Sequence, residues 1–309
     1  MRGMDILYHE DRADAEDWMQ CLREALPGSR VRAWAPGAPP ADYAVVWDPP
    51  QQLIDEQPRL KALFNTGAGV ERLLQLRLPD RLPVVRVDDA GMAVQMAEYV
   101  LHALTRHFRE MPAYEAQQAQ RLWHKRSPWR KADFPVGVLG MGALGERVIR
   151  TLQALDYPVL AWSRTPRTLP GVACHHGPEG LEAFLRGSRG LVNLLPLTRE
   201  THGLLQRERL SWLRPGALVI NVARGATLVE ADLLALLDSG HVAQAVLDVF
   251  ETEPLPQDHP FWRHPRVTLT PHISARTLRD ESMAQIAGKI LALERGEAVS
   301  GLVERARGY

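Results

Sequence analysis

Three polar residues stand where short apolar runs end. Arg224 closes Val219-Ile-Asn-Val-Ala-Arg-Gly225, Glu253 lies in Leu247-Asp-Val-Phe-Glu-Thr-Glu-Pro254, and His272 ends Val267-Thr-Leu-Thr-Pro-His-Ile-Ser274. An imidazole titrates near neutral pH, so it can hand over a proton, and a carboxylate beside it favours the imidazolium and fixes its orientation. A guanidinium offers a planar donor fork suited to a carboxylate or a carbonyl oxygen. Each residue alone would more often be structural: an arginine on a helix cap, an exposed loop acid, a histidine satisfied at a strand end. Their shared position after successive strands, where an open α/β sheet places its ligands, singles them out as a set able to hold and protonate an anionic carbonyl compound.

A second constellation precedes them. Gly140-Met141-Gly142-Ala143-Leu144-Gly145 follows the apolar run 135–139 and opens the helical stretch 146–155, the context that a dinucleotide-binding loop needs. The first glycine allows the tight turn, the second lets backbone approach a pyrophosphate at a helix N-terminus, and the third permits close packing of helix on strand. At the end of the next strand, where NAD enzymes carry an acid for the adenosine ribose, the chain has Trp162-Ser163-Arg164-Thr165-Pro166-Arg167. A carboxylate there would repel a 2′-phosphate, whereas Ser163, Arg164, Thr165 and Arg167 can hydrogen-bond one. The expected cofactor is NADP(H), preferred over NAD(H).

With these motifs, and with Asn65-Thr-Gly-Ala-Gly69, Asn221-Val-Ala-Arg-Gly225, Thr270-Pro-His-Ile273 and the C-terminal Arg305-Ala-Arg-Gly-Tyr309, the chain resembles the D-isomer-specific 2-hydroxyacid dehydrogenases over essentially its whole length. The resemblance implies that His272 is the general acid for a substrate carbonyl, that Glu253 is its partner and that Arg224 binds the substrate. It further implies that backbone N–H groups of Ala68 and Gly69 grip the substrate carboxylate, and that Trp47 walls the substrate pocket, a core or interface tryptophan being the other reading. Leu195, Pro196, Thr201, Val222, Ala223 and Ser274 are implied as further cofactor contacts. Asp248 would bond the nicotinamide carboxamide, or else cap neighbouring backbone. Glu71 and Ser274 depart from residues common in the family. Within the family the resemblance is to the branch that reduces glyoxylate and hydroxypyruvate, so these small 2-oxo acids are the expected substrates and a homodimer the expected assembly. A dehydrogenase for another 2-oxo acid and a non-catalytic NADP(H)-binding sensor are the alternatives.

Positioning these residues calls for an α/β protein with two open parallel-sheet domains, a flavodoxin-like substrate domain and a Rossmann-type nucleotide domain. Strands are expected at 6–9, 31–34, 43–47, 62–65 and 84–87, and again at 136–139, 159–162, 191–195, 218–222, 245–249 and 267–270, with amphipathic stretches between them. The domain bounds expected are 1–98 plus 275–309 for the substrate domain, to which the last helix (277–294) returns, and 99–274 for the nucleotide domain. A single long helix is expected over 93–123, then a solvated basic loop at 124–131. Thr227-Leu-Val-Glu230 has the spacing of a helix capping box, and Gly240 marks the end of that helix.

Composition narrows the classes. The chain has 309 residues, 45% hydrophobic and 24% charged, and its 37 basic residues balance 37 acidic ones. Disorder and a nucleic-acid partner are poor fits to that balance. Two cysteines, Cys21 and Cys174, make no disulfide framework, and the first residues reach acids before any apolar run, so a cytoplasmic home is expected. No stretch has the length of a membrane span. Cys174-His175-His176 lacks the separated partners of a closed zinc site, and no metal is expected.

Overall fold

Short apolar runs and longer amphipathic stretches fold into two sheets, both parallel throughout, in a computed structural model that describes residues 3–308. Met1, Arg2 and Tyr309, the last residue of the C-terminal motif, lie outside the described residues. The chain divides into two compact units, Met1–Met92 with Thr277–Tyr309, and Ala93–Arg276.

The first unit carries β1 (Asp5–His9), β2 (Arg30–Ala33), β3 (Tyr43–Val46), β4 (Ala62–Asn65) and β5 (Val84–Arg86) in the order β2-β1-β3-β4-β5. This is the flavodoxin-like arrangement. Helix Arg279–Glu294 belongs to this unit and packs on helix Ala15–Ala25. Its far end is tied to the sheet: Tyr43 Oη donates to Glu294 Oε1 at 2.6 Å, and Lys61 Nζ meets the same oxygen at 2.7 Å. Nearer the middle of the helix, the buried Lys289 donates to Arg86 O at 2.7 Å.

The second unit carries β6 (Val136–Leu139), β7 (Val159–Ser163), β8 (Ala173–His176), β9 (Gly190–Asn193), β10 (Ala217–Asn221), β11 (Val242–Leu247) and β12 (Val267–Leu269), ordered β12-β11-β10-β9-β6-β7-β8. From β6 the chain builds outward through β7 and β8, then returns to β9 on the other side of β6. The loops after β6 and β9 therefore diverge, and ligands of such sheets sit at that switch point. The central strands read as unbroken apolar runs because both faces are covered. Alternate residues serve the two faces: Leu139, Leu191, Val219 and Leu247 enter one core cluster, while Val138, Val192, Ile220 and Val246 enter the other. Each such fully buried side chain stabilises the fold by about 1.5–3 kcal/mol.

Three expectations are corrected. The single helix over 93–123 is two helices, Met92–Phe108 and Met111–Ala119, broken at Glu110, whose φ is 53°. Pro112 explains the break: it has no N–H to continue the ladder, and its ring would clash with the carbonyl four residues back. Beyond Ala119 the helix stops altogether, and Trp123 is 96% exposed. Strand β8 had no counterpart in the sequence reading; Ala-Cys-His-His is an edge strand with partly exposed side chains, so it shows no apolar run. Finally, Thr227 caps no helix. Val229 is the N-cap of helix Glu230–Asp238, and the buried Thr227 hydroxyl donates instead to Arg224 O at 2.6 Å. Gly240, at φ +79°, does follow the end of that helix.

Candidate active site

Within the second unit the structure brings together two of the three polar residues that opened the sequence reading, and it rigidly seats the third. His272 Nδ1 lies 2.8 Å from Glu253 Oε2. The other carboxylate oxygen, Oε1, accepts the backbone N–H of Phe250 at 3.0 Å, which fixes the plane of the acid. Burial alone would raise the Glu253 pKa. The hydrogen bond from His272, the Phe250 N–H, and the charges of His272 and Arg224 outweigh it and hold the carboxyl below its ordinary value. An ionised Glu253 requires a proton on Nδ1, so Nε2 is the ring nitrogen left to face a reacting group.

Arg224 follows β10 in extended conformation, with φ −140° and ψ 142°. Its carbonyl accepts from Thr227 Oγ1, and Asn193 Nδ2 in turn donates to that hydroxyl at 2.7 Å and to Asn221 Oδ1 at 3.0 Å. This network is buried, where unsatisfied polar groups are costly, so the segment carrying Arg224 has little freedom. One guanidinium nitrogen of Arg224 donates to Ala223 O at 2.7 Å.

Asp248 is fully buried at the end of β11 and acts on backbone and a hydroxyl. Its Oδ1 accepts from Thr270 Oγ1 at 2.5 Å and from Ile273 N at 2.8 Å, and its Oδ2 accepts from Ser274 N at 2.7 Å. Its carbonyl accepts the N–H of His272 at 2.9 Å, and His272 itself has φ 55°, in the left-handed region that is uncommon for residues other than glycine. Asp248 thus caps neighbouring backbone. Ser274 is buried and takes part through its backbone.

The nucleotide-loop residues lie at the ends of neighbouring strands β7, β6, β9 and β10. Gly140 has φ +103°, and a Cβ on Gly145 would stand 2.0 Å from Gly140 O, so the first and third glycines are required by turn and packing. A Cβ on Gly142 would meet nothing within 4 Å. Helix Ala143–Ala154 starts directly after it with no side-chain cap, leaving its first N–H groups for an anion. This cradle, in which Met141, Ala143 and Leu144 supply the intervening backbone, fits a pyrophosphate. Ser163 donates to Thr165 O at 2.8 Å, forming the turn that presents the exposed Arg164, while Arg167 donates to Met141 O on the glycine loop. Leu195 N is held by Asn193 Oδ1 at 3.2 Å, and Thr201 Oγ1 closes the following loop onto Pro196 O at 2.6 Å. Val222 and Ala223 are nearly buried beside them in sequence to Arg224.

In the first unit, Trp47, Ala68 and Gly69 follow the adjacent strands β3 and β4. Asn65 Nδ2 donates to both Gly67 O and Gly69 O, at 2.9 and 2.8 Å. In a trans peptide the C=O and the next N–H point opposite ways, so tying Gly67 O inward turns the Ala68 N–H outward. The Trp47 ring covers this loop: a Cβ on Gly67 would come within 2.3 Å of its Cζ3. Trp47 is 41% exposed and is not a core side chain. Sequence reasoning missed Gln95 and Tyr99, visible only as polar residues four apart on a helix, which engage the His272 segment.

Comparison with known proteins finds relatives that span nearly the whole chain. The family model described as D-isomer specific 2-hydroxyacid dehydrogenase, NAD binding domain, matches residues 101–274. The glyoxylate/hydroxypyruvate reductase A of Serratia proteamaculans is 47% identical over 313 residues, covering 99% of this chain and 100% of its own. That of Yersinia enterocolitica is 44% identical, with the same coverage. Among solved structures, a D-isomer specific 2-hydroxyacid dehydrogenase from Xanthobacter autotrophicus Py2, in complex with NADPH and MES, superposes with a TM-score of 0.95 at 42% identity, covering 99% of this chain and 100% of that one. The NADPH-dependent glyoxylate/hydroxypyruvate reductase of Sinorhizobium meliloti, in complex with NADP and sulfate, gives 0.91 at 35% identity with the same coverage.

Proposed function

This chain belongs to the D-isomer specific 2-hydroxyacid dehydrogenases, a family of oxidoreductases, and we propose that it reduces glyoxylate to glycolate and hydroxypyruvate to D-glycerate with NADPH. The observation that carries the reading is the 2.8 Å pairing of His272 Nδ1 with Glu253, which leaves Nε2 to act as acid. The nicotinamide cofactor, when bound, supplies hydride to the carbonyl carbon. His272 delivers a proton from Nε2 to the carbonyl oxygen, and the neutral imidazole that results stays oriented by Glu253. Arg224 holds the substrate through its carboxylate and carbonyl oxygen, which aligns the carbon for attack.

We assign the cofactor to the glycine loop 140–145, to Ser163, Arg164, Thr165 and Arg167 at the 2′-phosphate, and to Leu195, Pro196, Thr201, Val222, Ala223, Asp248 and Ser274. The substrate carboxylate is assigned to the N–H groups of Ala68 and Gly69, with Trp47 limiting its size. The unit holding β1 to β5 is then the substrate domain and that holding β6 to β12 the nucleotide domain. NADP use is supported by the NADPH and NADP complexes of similar proteins and by the absence of an acid at 163–167. A cytoplasmic homodimer completes the reading. No helix among the described residues is long and apolar enough to cross a membrane, and the exposed Leu122 and Trp123 offer apolar area to a second copy.

The test is the initial rate of NADPH and NADH oxidation by the purified protein with glyoxylate and hydroxypyruvate in turn, alongside light scattering. Turnover that prefers NADPH, in a dimer, is expected. Absence of turnover with either acid would overturn the substrate assignment, and retained NADPH binding without turnover on any 2-oxo acid would favour a sensor.

A further inference from the structure

The segment carrying His272 is gripped at both ends by one helix. Tyr99 and Gln95 stand four residues apart on helix Met92–Phe108, and residues so spaced share a helical face. At one end of the segment, Tyr99 Oη lies 2.6 Å from Thr270 Oγ1. At the other, Gln95 pairs with the backbone of Arg276 through both amide atoms: Oε1 accepts from Arg276 N at 3.2 Å and Nε2 donates to Arg276 O at 2.8 Å.

Counting protons gives the Tyr99 contact a direction. Thr270 has one hydroxyl proton, and it donates that proton to Asp248 Oδ1 at 2.5 Å. The hydrogen between Tyr99 and Thr270 must then come from the phenol. The chain runs Tyr99 to Thr270 to Asp248, and Asp248 receives in addition the N–H groups of Ile273, Ser274 and, on its carbonyl, His272. Burial raises the Tyr99 pKa first and the Asp248 charge adds to it, while the Thr270 bond lowers it; the net value is about 12, so the phenol keeps its proton at neutral pH. A histidine held at φ 55° needs such support, because a left-handed backbone costs energy that the surroundings must offset.

We propose that Tyr99 and Gln95 are positioning residues for the reaction, Tyr99 acting through Thr270 and Asp248 and Gln95 through the Arg276 backbone, to hold the His272 imidazole at the angle proton transfer requires. The inference rests on the assignment of His272 as general acid. Both residues lie outside the catalytic trio.

The experiment compares Tyr99→Phe, Thr270→Val, Thr270→Ser and Gln95→Leu with the wild-type chain, and Tyr99→Phe again in a His272→Gln background, using glyoxylate and NADPH. Each variant is measured for kcat, KM, NADPH Kd by fluorescence titration and thermal unfolding. Tyr99→Phe, Thr270→Val and Gln95→Leu are expected to lower kcat about 10-fold, since small misplacements of a reacting group are costly, with KM and Kd changed by less than about 2-fold. Thr270→Ser keeps the hydroxyl and should restore kcat. In the His272→Gln background Tyr99→Phe should alter the residual rate by less than about 2-fold, because residues acting through one group are not additive. A full 10-fold loss added to that of His272→Gln, or an unchanged kcat in Tyr99→Phe, would overturn the positioning role and leave the acid assignment standing. Near-normal turnover in His272→Gln alone would instead remove the acid, and this inference with it. Should Tyr99→Phe fail to fold, the contrast between Thr270→Val and Thr270→Ser decides the same question.

Discussion

Gly225 and Phe250 meet backbone against backbone: a Cβ on Gly225 would stand 1.8 Å from the Phe250 carbonyl carbon and 2.3 Å from Glu251 N. The contact joins the residue after Arg224 to Phe250, whose own N–H orients Glu253. Two segments bearing proposed catalytic groups are thus locked by the absence of one side chain.

Replacing Gly225 by alanine should therefore damage both at once. Backbone cannot give way as a flexible side chain would, so the variant is expected to lose about 1–3 kcal/mol of stability and most of its turnover, with NADPH affinity less affected. Chemical denaturation and steady-state rates measure this. Wild-type turnover in Gly225→Ala would mean that the Arg224 and Glu253 segments are not coupled through this contact.

The Glu253 carboxyl predicts a pH dependence whose sign follows from its lowered pKa. A group with a folded pKa below its unfolded one adds stability above the unfolded value, about 4.3 for glutamate, and loses it as pH falls through the folded value. The difference in Tm between wild type and Glu253→Gln should consequently be flat just above about pH 5 and shrink steadily below about pH 4. A difference that stayed constant down to acid unfolding would show that the carboxylate gains nothing from His272 and Phe250 N–H.

Arg164 stands at the end of β7 where a ribose acid would otherwise be. Arg164→Asp should reduce kcat/KM for NADPH by about 10-fold or more, the worth of a charge-assisted hydrogen bond, while sparing or improving that for NADH. An unaltered cofactor ratio would assign the 2′-phosphate to Arg167 or to the Ser163 and Thr165 turn.

Trp47 and Gly67 give a fourth prediction. The indole ring occupies the space that a Cβ on Gly67 would need, so Gly67→Ala displaces the ring that Trp47→Ala removes. Both variants are expected to raise KM for the 2-oxo acid several-fold with NADPH Kd unchanged, and the double variant to add little to either. Unchanged KM in Trp47→Ala would take the tryptophan out of substrate selection.

Much of this was legible in the chain. The α/β class and its two parallel sheets followed from apolar runs of strand length separated by amphipathic stretches, because strands covered on both faces must be apolar throughout. The glycine loop was legible because each of its glycines answers a local demand of turn, approach or packing. Strand β8 was not, since an edge strand with half-exposed Cys174 and His175 has no apolar signature. The break at Glu110 carried a readable signal in Pro112 that the long helical pattern outweighed. Thr227 matched a capping box in spacing alone, and its hydroxyl was taken by Arg224 O and Asn193 from outside the local sequence.

What the chain alone determined was therefore local: the periodicity that selects strands and helices, the backbone demands met by Gly140 and Gly145, and the identity of the groups able to move a proton or bind an anion. Which of those groups meet was decided by the tertiary structure. His272 reaches Glu253 and answers to Asp248, Thr270 and Tyr99 because β11 and β12 lie side by side and a helix more than a hundred residues earlier packs on their ends. Hydrogen bonds between residues so far apart depend on register and packing, and neither leaves a trace in the spacing of residues along the chain.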